Sequence, residues 1–303
     1  MNSITVVIPT LNEENAIGEV IDEFKDLGFS DILVIDGGST DKTREIAERR
    51  GAHVIIQSGK GKGQAIAEAF NLINSEIAIL IDGDGSYRPQ DALKMIEPIK
   101  KGLADHVIGN RLANYQEGAF TKLNLIGNKI LNFFFRVVYG IEIYDLLSGY
   151  RALTREVYKN VKLTSKGFEV ETELTVETIA KGFRVLEVPI TYRKREGSTK
   201  LNPIKDGFKI GKAIYSLLSR YSPARYLYFI GSIFIILGII SGIHVLLEWF
   251  SGVTHYLLAI LTALFIIAGI QLAMVGLIFD FILRSTVEFK REIISLREKL
   301  RKR

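Results

Sequence analysis

Two stretches of the sequence, Leu227 to Phe250 and Tyr256 to Leu283, are apolar and almost uncharged throughout. At about 1.5 Å per helical residue, each is long enough to cross a bilayer hydrocarbon core of about 30 Å. Backbone in hydrocarbon must satisfy its own hydrogen bonds, so each stretch is predicted to be a transmembrane helix. The connector "SGVTH", Ser251 to His255, is too short to hold a domain, which makes the pair a hairpin. Glu248 and Asp280 lie near the ends of the spans, where they reach headgroups. Gln271 alone lies deep, and it is expected to hydrogen-bond to the neighbouring helix rather than serve transport.

The flanks of the hairpin are basic. Eight Lys or Arg against three Glu follow Leu283, and Lys209, Lys212, Arg220 and Arg225 precede Leu227. Such asymmetry predicts cytoplasmic termini, an outward hairpin tip and a multi-pass cell-membrane location. The opening "MNSITVVIPT" lacks the basic and apolar regions of a signal peptide, so the first domain is expected to stay in the cytosol. A net charge of +5 without a module of interleaved aromatic and basic residues points to a membrane surface as partner, and to no nucleic acid. The absence of cysteine excludes disulfides and thiolate metal sites.

Ahead of the hairpin, the β-branched runs "ITVVIP", "DILVID", "HVIIQS" and "IAILID" alternate with helical patterns at Glu14 to Leu27, Lys42 to Arg50, Gly63 to Asn74 and Pro89 to Lys101. That alternation predicts a parallel sheet covered by helices on both faces, with ligands bound beyond the carboxyl ends of its strands. Two later segments, Leu123 to Gly140 and Pro203 to Pro223, mix Lys and Arg with Phe, Leu, Ile and Tyr. Each is predicted to be an amphipathic helix, lying in the headgroup plane or packing on the sheet. The expected organisation is a catalytic domain over residues 1–202, a juxtamembrane helix over 203–225, the hairpin over 226–283 and a basic tail over 284–303.

After the fourth run come Asp82 and Asp84, separated by Gly83. Side chains at i and i+2 of an extended segment point the same way, and a glycine between them permits a sharp bend. Two hard carboxylates so placed suit Mg²⁺ or Mn²⁺ held against a diphosphate, although an Asp-Gly turn needs no ligand. Asp36 ends the second run, where a carboxylate can accept from a base N–H or ribose hydroxyls. The Ser39 to Asp41 run that follows reads as the N-cap of a helix from Lys42. "SGKGKGQA", Ser58 to Ala65, does not match the P-loop spacing and follows too late a strand for a dinucleotide fingerprint, leaving an electrostatic role for Lys60 or Lys62.

In order along the chain, "VVIPTLNEE", "VIDGGSTDKT", "LIDGDGSYRP", "IGNR", "DLLSGYRALTR", "GFEVETEL" and "VPITYRKREGSTKLNP" resemble the family 2 inverting glycosyltransferases. Within them the chain is most similar to polyprenyl-phosphate hexose synthases, above all archaeal enzymes that load a sugar onto dolichyl phosphate in N-glycan assembly. The resemblance spans about residues 3 to 212. It implies the GT-A fold, a Rossmann-like, mostly parallel α/β sheet, followed by interface helices and the hairpin. It also implies a nucleotide sugar and dolichyl or polyprenyl phosphate as partners, with Mg²⁺ or Mn²⁺ as cofactor.

Carried over by motif, the resemblance implies that Pro9, Leu11 and Glu13 border the nucleotide and that Asp36 contacts the nucleoside. Asp82, Gly83 and Asp84 would form the metal and diphosphate site, with Ser86 on the metal side. Arg111 would face a donor or acceptor phosphate, and Lys200 would close over the diphosphate. The companion loop cation is one of Arg193, Lys194 and Arg195. The chain departs from many relatives in carrying Gly37 after Asp36 where they have a second acid.

A phosphomonoester acceptor is already anionic near neutral pH, so it needs positioning cations more than a base. Arg111, Lys129 and Arg136 have that character. Arg151 is expected to pair with Asp145, with phosphate binding as the other option. Glu169, Glu171 and Glu173 would cap a helix start or orient phosphate-binding arginines. His53, His106, His244 and His255 show no zinc-ligand spacing. The competing readings are extension of a lipid-linked saccharide or polymer and a non-catalytic nucleotide-sugar-binding scaffold. The only tryptophan, Trp249, lies in a membrane span, away from the place processive synthases use. The sequence leaves homo-oligomer formation open.

Overall fold

The four β-branched runs form adjacent strands on one side of a seven-stranded sheet in the computed structural model, which describes residues 3–139, 141–167, 169–194, 212 and 223–301. The strands are β1 (Ile4–Thr10), β2 (Asp31–Asp36), β3 (His53–Ile56), β4 (Ile77–Leu80), β5 (His106–Tyr115), β6 (Arg151–Thr154) and β7 (Val185–Tyr192). Their order across the sheet is β3-β2-β1-β4-β6-β5-β7. β1 pairs parallel with β2 and β4, and β2 with β3, as the alternation of the first four runs predicts. β5 and β7, which lie outside those runs, also pair parallel. The exception is β6, antiparallel to both β4 and β5. Its register sets Arg151 beside Leu80, so the loop entering β6 arrives at the carboxyl edge where β4 ends.

Helices cover both faces because the strands alternate their side chains between two cores. Val6, Ile8, Val34, Ile77 and Ile79 point to one core, which Ile17, Ile21 and Phe24 of α1 (Ile17–Asp26) and Met95 and Ile96 of α4 (Asp91–Lys100) complete. Val7, Leu33, Ile35, Ala78 and Leu80 point to the other. There they meet Ile66 and Phe70 of α3 (Lys62–Leu72), Val157 and Tyr158 of α6 (Arg155–Asn160), and Val170 and Leu174 of α7 (Val170–Ala180). Between α1 and α3 in the chain lies α2 (Thr43–Arg49), and α5 spans Lys122–Tyr139.

α5 has two contrasting faces. Asn128, Asn132, Phe135 and Tyr139 turn inward, with Asn132 Oδ1 accepting from the Leu146 N–H at 3.0 Å. Leu123, Ile126, Ile130, Phe133 and Val137 form an exposed apolar stripe on the other side. The second amphipathic segment, 203–223, falls outside the described residues apart from Lys212 and Pro223.

The chain divides into two compact units, Met1–Ile214 and Tyr215–Arg303. The second holds α8 (Pro223–Phe250) and α9 (Tyr256–Arg301), within which Ala224–Phe250 and Tyr256–Ile282 are long and apolar enough to cross a membrane. The helices approach closely through small residues, the packing favoured where lipid offers no hydrophobic drive. A Cβ on Gly269 would stand 2.8 Å from the Gly231 carbonyl oxygen, and one on Gly276 would stand 3.1 Å from that of Ala224. The helix-to-helix hydrogen bond expected of Gln271 is made instead by Thr262, whose hydroxyl lies 2.8 Å from that of Ser241. Gln271 is exposed. With about 100° between successive helical residues, it projects opposite Gly269, Ala273 and Gly276, which face α8.

Candidate active site

The carboxyl ends of β1, β2 and β4 converge with the loop entering β6. At the end of β1, Asn12 takes a left-handed conformation (φ 52°), and its side-chain oxygen accepts from the Thr40 N–H at 2.8 Å. Pro9 and Glu13 are half-buried, Leu11 is 41% exposed, and the Glu13 N–H donates to Thr43 Oγ1 at 2.8 Å. Gly37 donates to the Thr10 carbonyl at 2.8 Å, and a Cβ there would come within 3.2 Å of that oxygen. Crowding of the two strand ends thus accounts for glycine at this position.

Asp36, the residue expected at the nucleoside, also organises its own loop. It is fully buried, and its carboxylate accepts from the Gly38 and Ser39 N–H groups at 3.0 and 2.9 Å and from the Ser39 hydroxyl. Those bonds occupy both oxygens in shaping the loop that faces β1. The cap of α2 comes from Asp41, whose Oδ1 accepts from the Thr43 N–H at 3.0 Å; burial raises its pKa, but these hydrogen bonds prevail and lower it.

Asp82 and Asp84 lie just beyond β4, as predicted, but the glycine between them serves packing rather than bending. A Cβ on Gly83 would lie 2.7 Å from Thr10 Cγ2, whereas the positive φ, 72°, belongs to Gly85. Ser86 is fully buried. Its N–H and hydroxyl donate to Asp84 Oδ1 at 3.1 and 2.5 Å, so it orients that carboxylate. The Arg193 N–H donates to the Ser86 carbonyl at 2.7 Å, tying the end of β7 to the same turn.

The cation facing the acidic pair is Lys62, the first residue of α3. Its Nζ sits 2.5 Å from Asp82 Oδ1 and 2.7 Å from Glu171 Oε1. Burial works against its charge, but the Asp82 and Glu171 carboxylates outweigh that and hold its pKa above the usual lysine value. Among the described residues, the second oxygen of Glu171 is buried without a hydrogen-bond partner. Glycines let this cluster close up: a Cβ on Gly149 would reach 2.6 Å from Asp82 Oδ2 and 2.9 Å from Lys62 Nζ. Gly61 and Gly63 allow α3 to begin against the loop before α7, since their Cβ atoms would overlap the carbonyl oxygens of Lys166 and Ser165. The phosphate-loop look of "SGKGKGQA" is therefore a consequence of close packing.

Arg111 and Asp145 form a second buried unit. The guanidinium grips the carboxylate through Nε at 2.8 Å and Nη2 at 2.7 Å, and the Arg111 N–H adds a third bond at 2.8 Å. The rings of Phe120 and Tyr192, stacked on each other, lie 5.6 and 5.4 Å from the guanidinium. Burial disfavours the Arg111 charge, yet Asp145 more than compensates and raises its pKa. The expected pairing of Asp145 with Arg151 is thus replaced by one with Arg111. Arg151 is 1% exposed and donates to the carbonyls of Ser148 and Leu146 and to Thr175 Oγ1, at 2.9, 2.7 and 2.7 Å. Burial lowers its pKa to about 10. Its guanidinium also meets His106 Nε2 at 3.2 Å. Thr178 Oγ1 gives its proton to the Leu174 carbonyl, so it accepts from His106 Nδ1 and leaves Nε2 to accept from Arg151.

The glutamates also divide. Glu171 holds Lys62 rather than an arginine, while Glu173 accepts from the Thr164 and Ser165 N–H groups at 2.9 and 2.8 Å and shapes the preceding loop. Glu169 accepts from the Gly167 N–H at 3.3 Å. Among the cations proposed for phosphate, Arg193 leans to Glu23 at 3.4 Å, Lys129 is exposed, and Arg136 lies 4.7 Å over the Tyr144 ring. The Lys194 N–H donates to Gln116 Oε1 at 3.1 Å, while Arg195 and Lys200 lie outside the described residues.

Asp84, pre-oriented by Ser86, and Asp82 offer hard oxygens suited to a small divalent cation. Among the described residues no group of three or more His, Cys, Asp or Glu could enclose a metal, so such an ion would complete its shell with diphosphate oxygens and water. A family model described as glycosyl transferase family 2 matches residues 5–162, the span that carries β1 to β6 and both aspartates. The chain belongs to glycosyltransferase family 2.

Its family 2 relatives include glycosyltransferase AglJ of Haloferax volcanii, 43% identical over 93% of this chain and 94% of that protein. A dolichyl-phosphate hexose transferase of the same organism is 34% identical over 70% of this chain and 92% of its own length. The polyprenol monophosphomannose synthase of Mycolicibacterium smegmatis is 31% identical over 70% and 84%. Among solved structures, glucosyl-3-phosphoglycerate synthase from Mycobacterium tuberculosis in complex with Mn²⁺ and uridine-diphosphate-glucose is similar with a TM-score of 0.59 at 26% identity, over 73% of this chain and 79% of that one. The sheet with β6 reversed and helices on both faces is the GT-A arrangement that the sequence resemblance implied.

Proposed function

We propose that this glycosyltransferase moves a hexose or N-acetylhexosamine from a nucleotide sugar to dolichyl or another polyprenyl phosphate, for N-glycan or cell-surface glycan assembly. The observation that carries the reading is the Asp82–Asp84 turn at the carboxyl end of β4, with Lys62 against it. A pair of carboxylates braced by a buried cation suits a diphosphate leaving group in a chain of this family. The names of the dolichyl-phosphate hexose transferase and the polyprenol monophosphomannose synthase support a lipid-phosphate acceptor. The Mn²⁺ and UDP-glucose complex of the mycobacterial synthase supports a divalent metal and a UDP sugar, with UDP-glucose and UDP-N-acetylglucosamine ahead of GDP-mannose.

Bound Mg²⁺ or Mn²⁺ would supply positive charge to the departing diphosphate. Asp84, oriented by Ser86, and Asp82 would hold it. Asp82 stands partly neutralised by Lys62, so the turn presents less than two full negative charges to an anionic donor. The lipid phosphate attacks as an anion and needs no general base, which accords with the tight engagement of Asp36, Asp145 and Glu173 in their own hydrogen bonds. Lys129 and Arg136 of α5, with the loop cations, position that phosphate. A single in-line attack inverts the anomeric centre. The hairpin holds the enzyme in the cell membrane with its catalytic unit and basic termini in the cytoplasm.

The test is to incubate the purified full chain with Mg²⁺ or Mn²⁺, a panel of UDP and GDP sugars and dolichyl phosphate, and to identify the lipid product by mass. A sugar–phosphate lipid that disappears with Asp84→Ala is expected. Absence of any such lipid with every donor overturns the proposal, and equal activity in Asp84→Ala overturns the metal site.

A further inference from the structure

Gln271 lies about 22 Å along α9 from Tyr256 and about 17 Å from Ile282, the ends of the apolar span, which places it near the middle of the hydrocarbon layer. Its side chain is exposed on the side of α9 that faces away from α8, and the polar bond joining the helices is made by Thr262 and Ser241. A primary amide in lipid leaves two donors and an acceptor without partners, a costly arrangement that the short side chain cannot relieve by reaching headgroups. The amide is also self-complementary, because each N–H₂ can donate to the carbonyl of an identical group. We propose that Gln271 is the contact point of a homodimer formed between the membrane hairpins of two copies of this chain.

The seam around it fits that partner. Ile260, Leu264, Ile267, Gln271, Met274 and Ile278 follow one another at spacings of four, three, four, three and four, and the five apolar members are 52–61% exposed. This is the repeat by which two helices interdigitate along a left-handed crossing. Two copies in one membrane share an orientation, so a twofold axis runs their α9 helices parallel and sets each residue against its own counterpart. A single polar residue in such a seam fixes register and copy number. Gln271 meets Gln271 of the second copy only in the symmetric register, and a third helix would find its amide already paired.

The inference rests on the reading of α8 and α9 as a membrane hairpin, which alkaline carbonate extraction tests separately: release of the chain would overturn that reading and this one together. The sequence has no cysteine, so single substitutions report contacts cleanly. In native membranes carrying the full chain, Ile267→Cys and Met274→Cys are expected to oxidise to a disulfide-linked dimer. Leu277→Cys, equally exposed but on another side of α9, is expected to stay monomeric. Adding Gln271→Leu should lower the cross-linked fraction about fivefold, the scale of one interhelical amide bond in lipid, while Gln271→Asn retains most of it. Detergent-corrected light scattering on the purified chain should give two copies. No cross-link at 267 or 274, equal cross-linking at 277, a link to a different protein, or indifference to Gln271→Leu would each overturn the proposal.

Discussion

Lys62 Nζ lies 2.5 Å from Oδ1 of Asp82, so the lysine occupies one side of the carboxylate that a divalent cation would otherwise share. Replacing it with methionine leaves Asp82 and Glu171 facing each other without a counter-charge. Two opposite effects are expected from Lys62→Met. Affinity for Mn²⁺ in the presence of nucleoside diphosphate, read by electron paramagnetic resonance, should rise as the competing ammonium is removed. Turnover should fall about 100-fold as stabilisation of the leaving group is lost. Parallel loss of both would show that the lysine merely supports the fold.

The buried Arg111–Asp145 pair is expected to anchor the fold. Arg111→Met strands the Asp145 carboxylate in a buried site, and breaking such a pair costs about 3–5 kcal/mol. In thermal unfolding of the full chain in detergent, that corresponds to a drop of about 10 °C for a domain of this size. Arg111→Lys keeps the charge but loses the two-pronged grip, and most of the loss should remain. An unchanged melting temperature with a raised KM for lipid phosphate would instead return Arg111 to the acceptor site.

His106 makes the catalytic unit acid-sensitive. Burial first, and then the neighbouring Arg151 charge, hold its pKa well below the ordinary value of 6.5. Below about pH 6.5 the unfolded chain takes up a proton that the folded one refuses, so stability falls by about 1.4 kcal/mol per pH unit until the folded value is reached. Above that pH the contribution is constant. Denaturant midpoints measured from pH 7.5 down to 5 should show this slope, and it should be shallower in His106→Gln.

Gly269 controls how closely α8 and α9 approach. A side chain there meets the Gly231 carbonyl at 2.8 Å and Ile235 Cγ1 at 2.6 Å. Gly269→Leu should separate the helices at a cost of about 1–3 kcal/mol. A Ser241→Cys/Thr262→Cys pair placed where the two hydroxyls touch should form a disulfide in the parent chain and fail to form one beside Gly269→Leu.

The first four strands were legible because Val6 to Ile8 and Ile32 to Ile35 alternate between two cores, and β-branched residues with that alternation have few other uses. β5, β6 and β7 were not legible as strands. Asp82 and Asp84 were legible from their place after such a run. What sequence spacing hid were relations across the fold. Asp145 lies six residues from Arg151 but is gripped by Arg111, because β5 and the loop entering β6 end at the same edge. Asp36 carried the right residue type for a ligand, but its hydrogen bonds to Gly38 and Ser39, which shape its own loop, were not legible from spacing. The signal for Lys62 was the pair of glycines beside it, whose purpose becomes visible only when the segment before α7 packs against them.

The outward stripe of α5 bears on how this enzyme can be handled. Leu123, Ile126, Ile130, Phe133 and Val137 belong to the catalytic unit and are more than half exposed in it. Cutting the chain ahead of α8 would remove the long apolar helices and still leave that adhesive ridge in water. A truncated catalytic unit would keep a colloidal liability of its own, so detergent or lipid belongs in its buffer even when every membrane-crossing residue has been deleted.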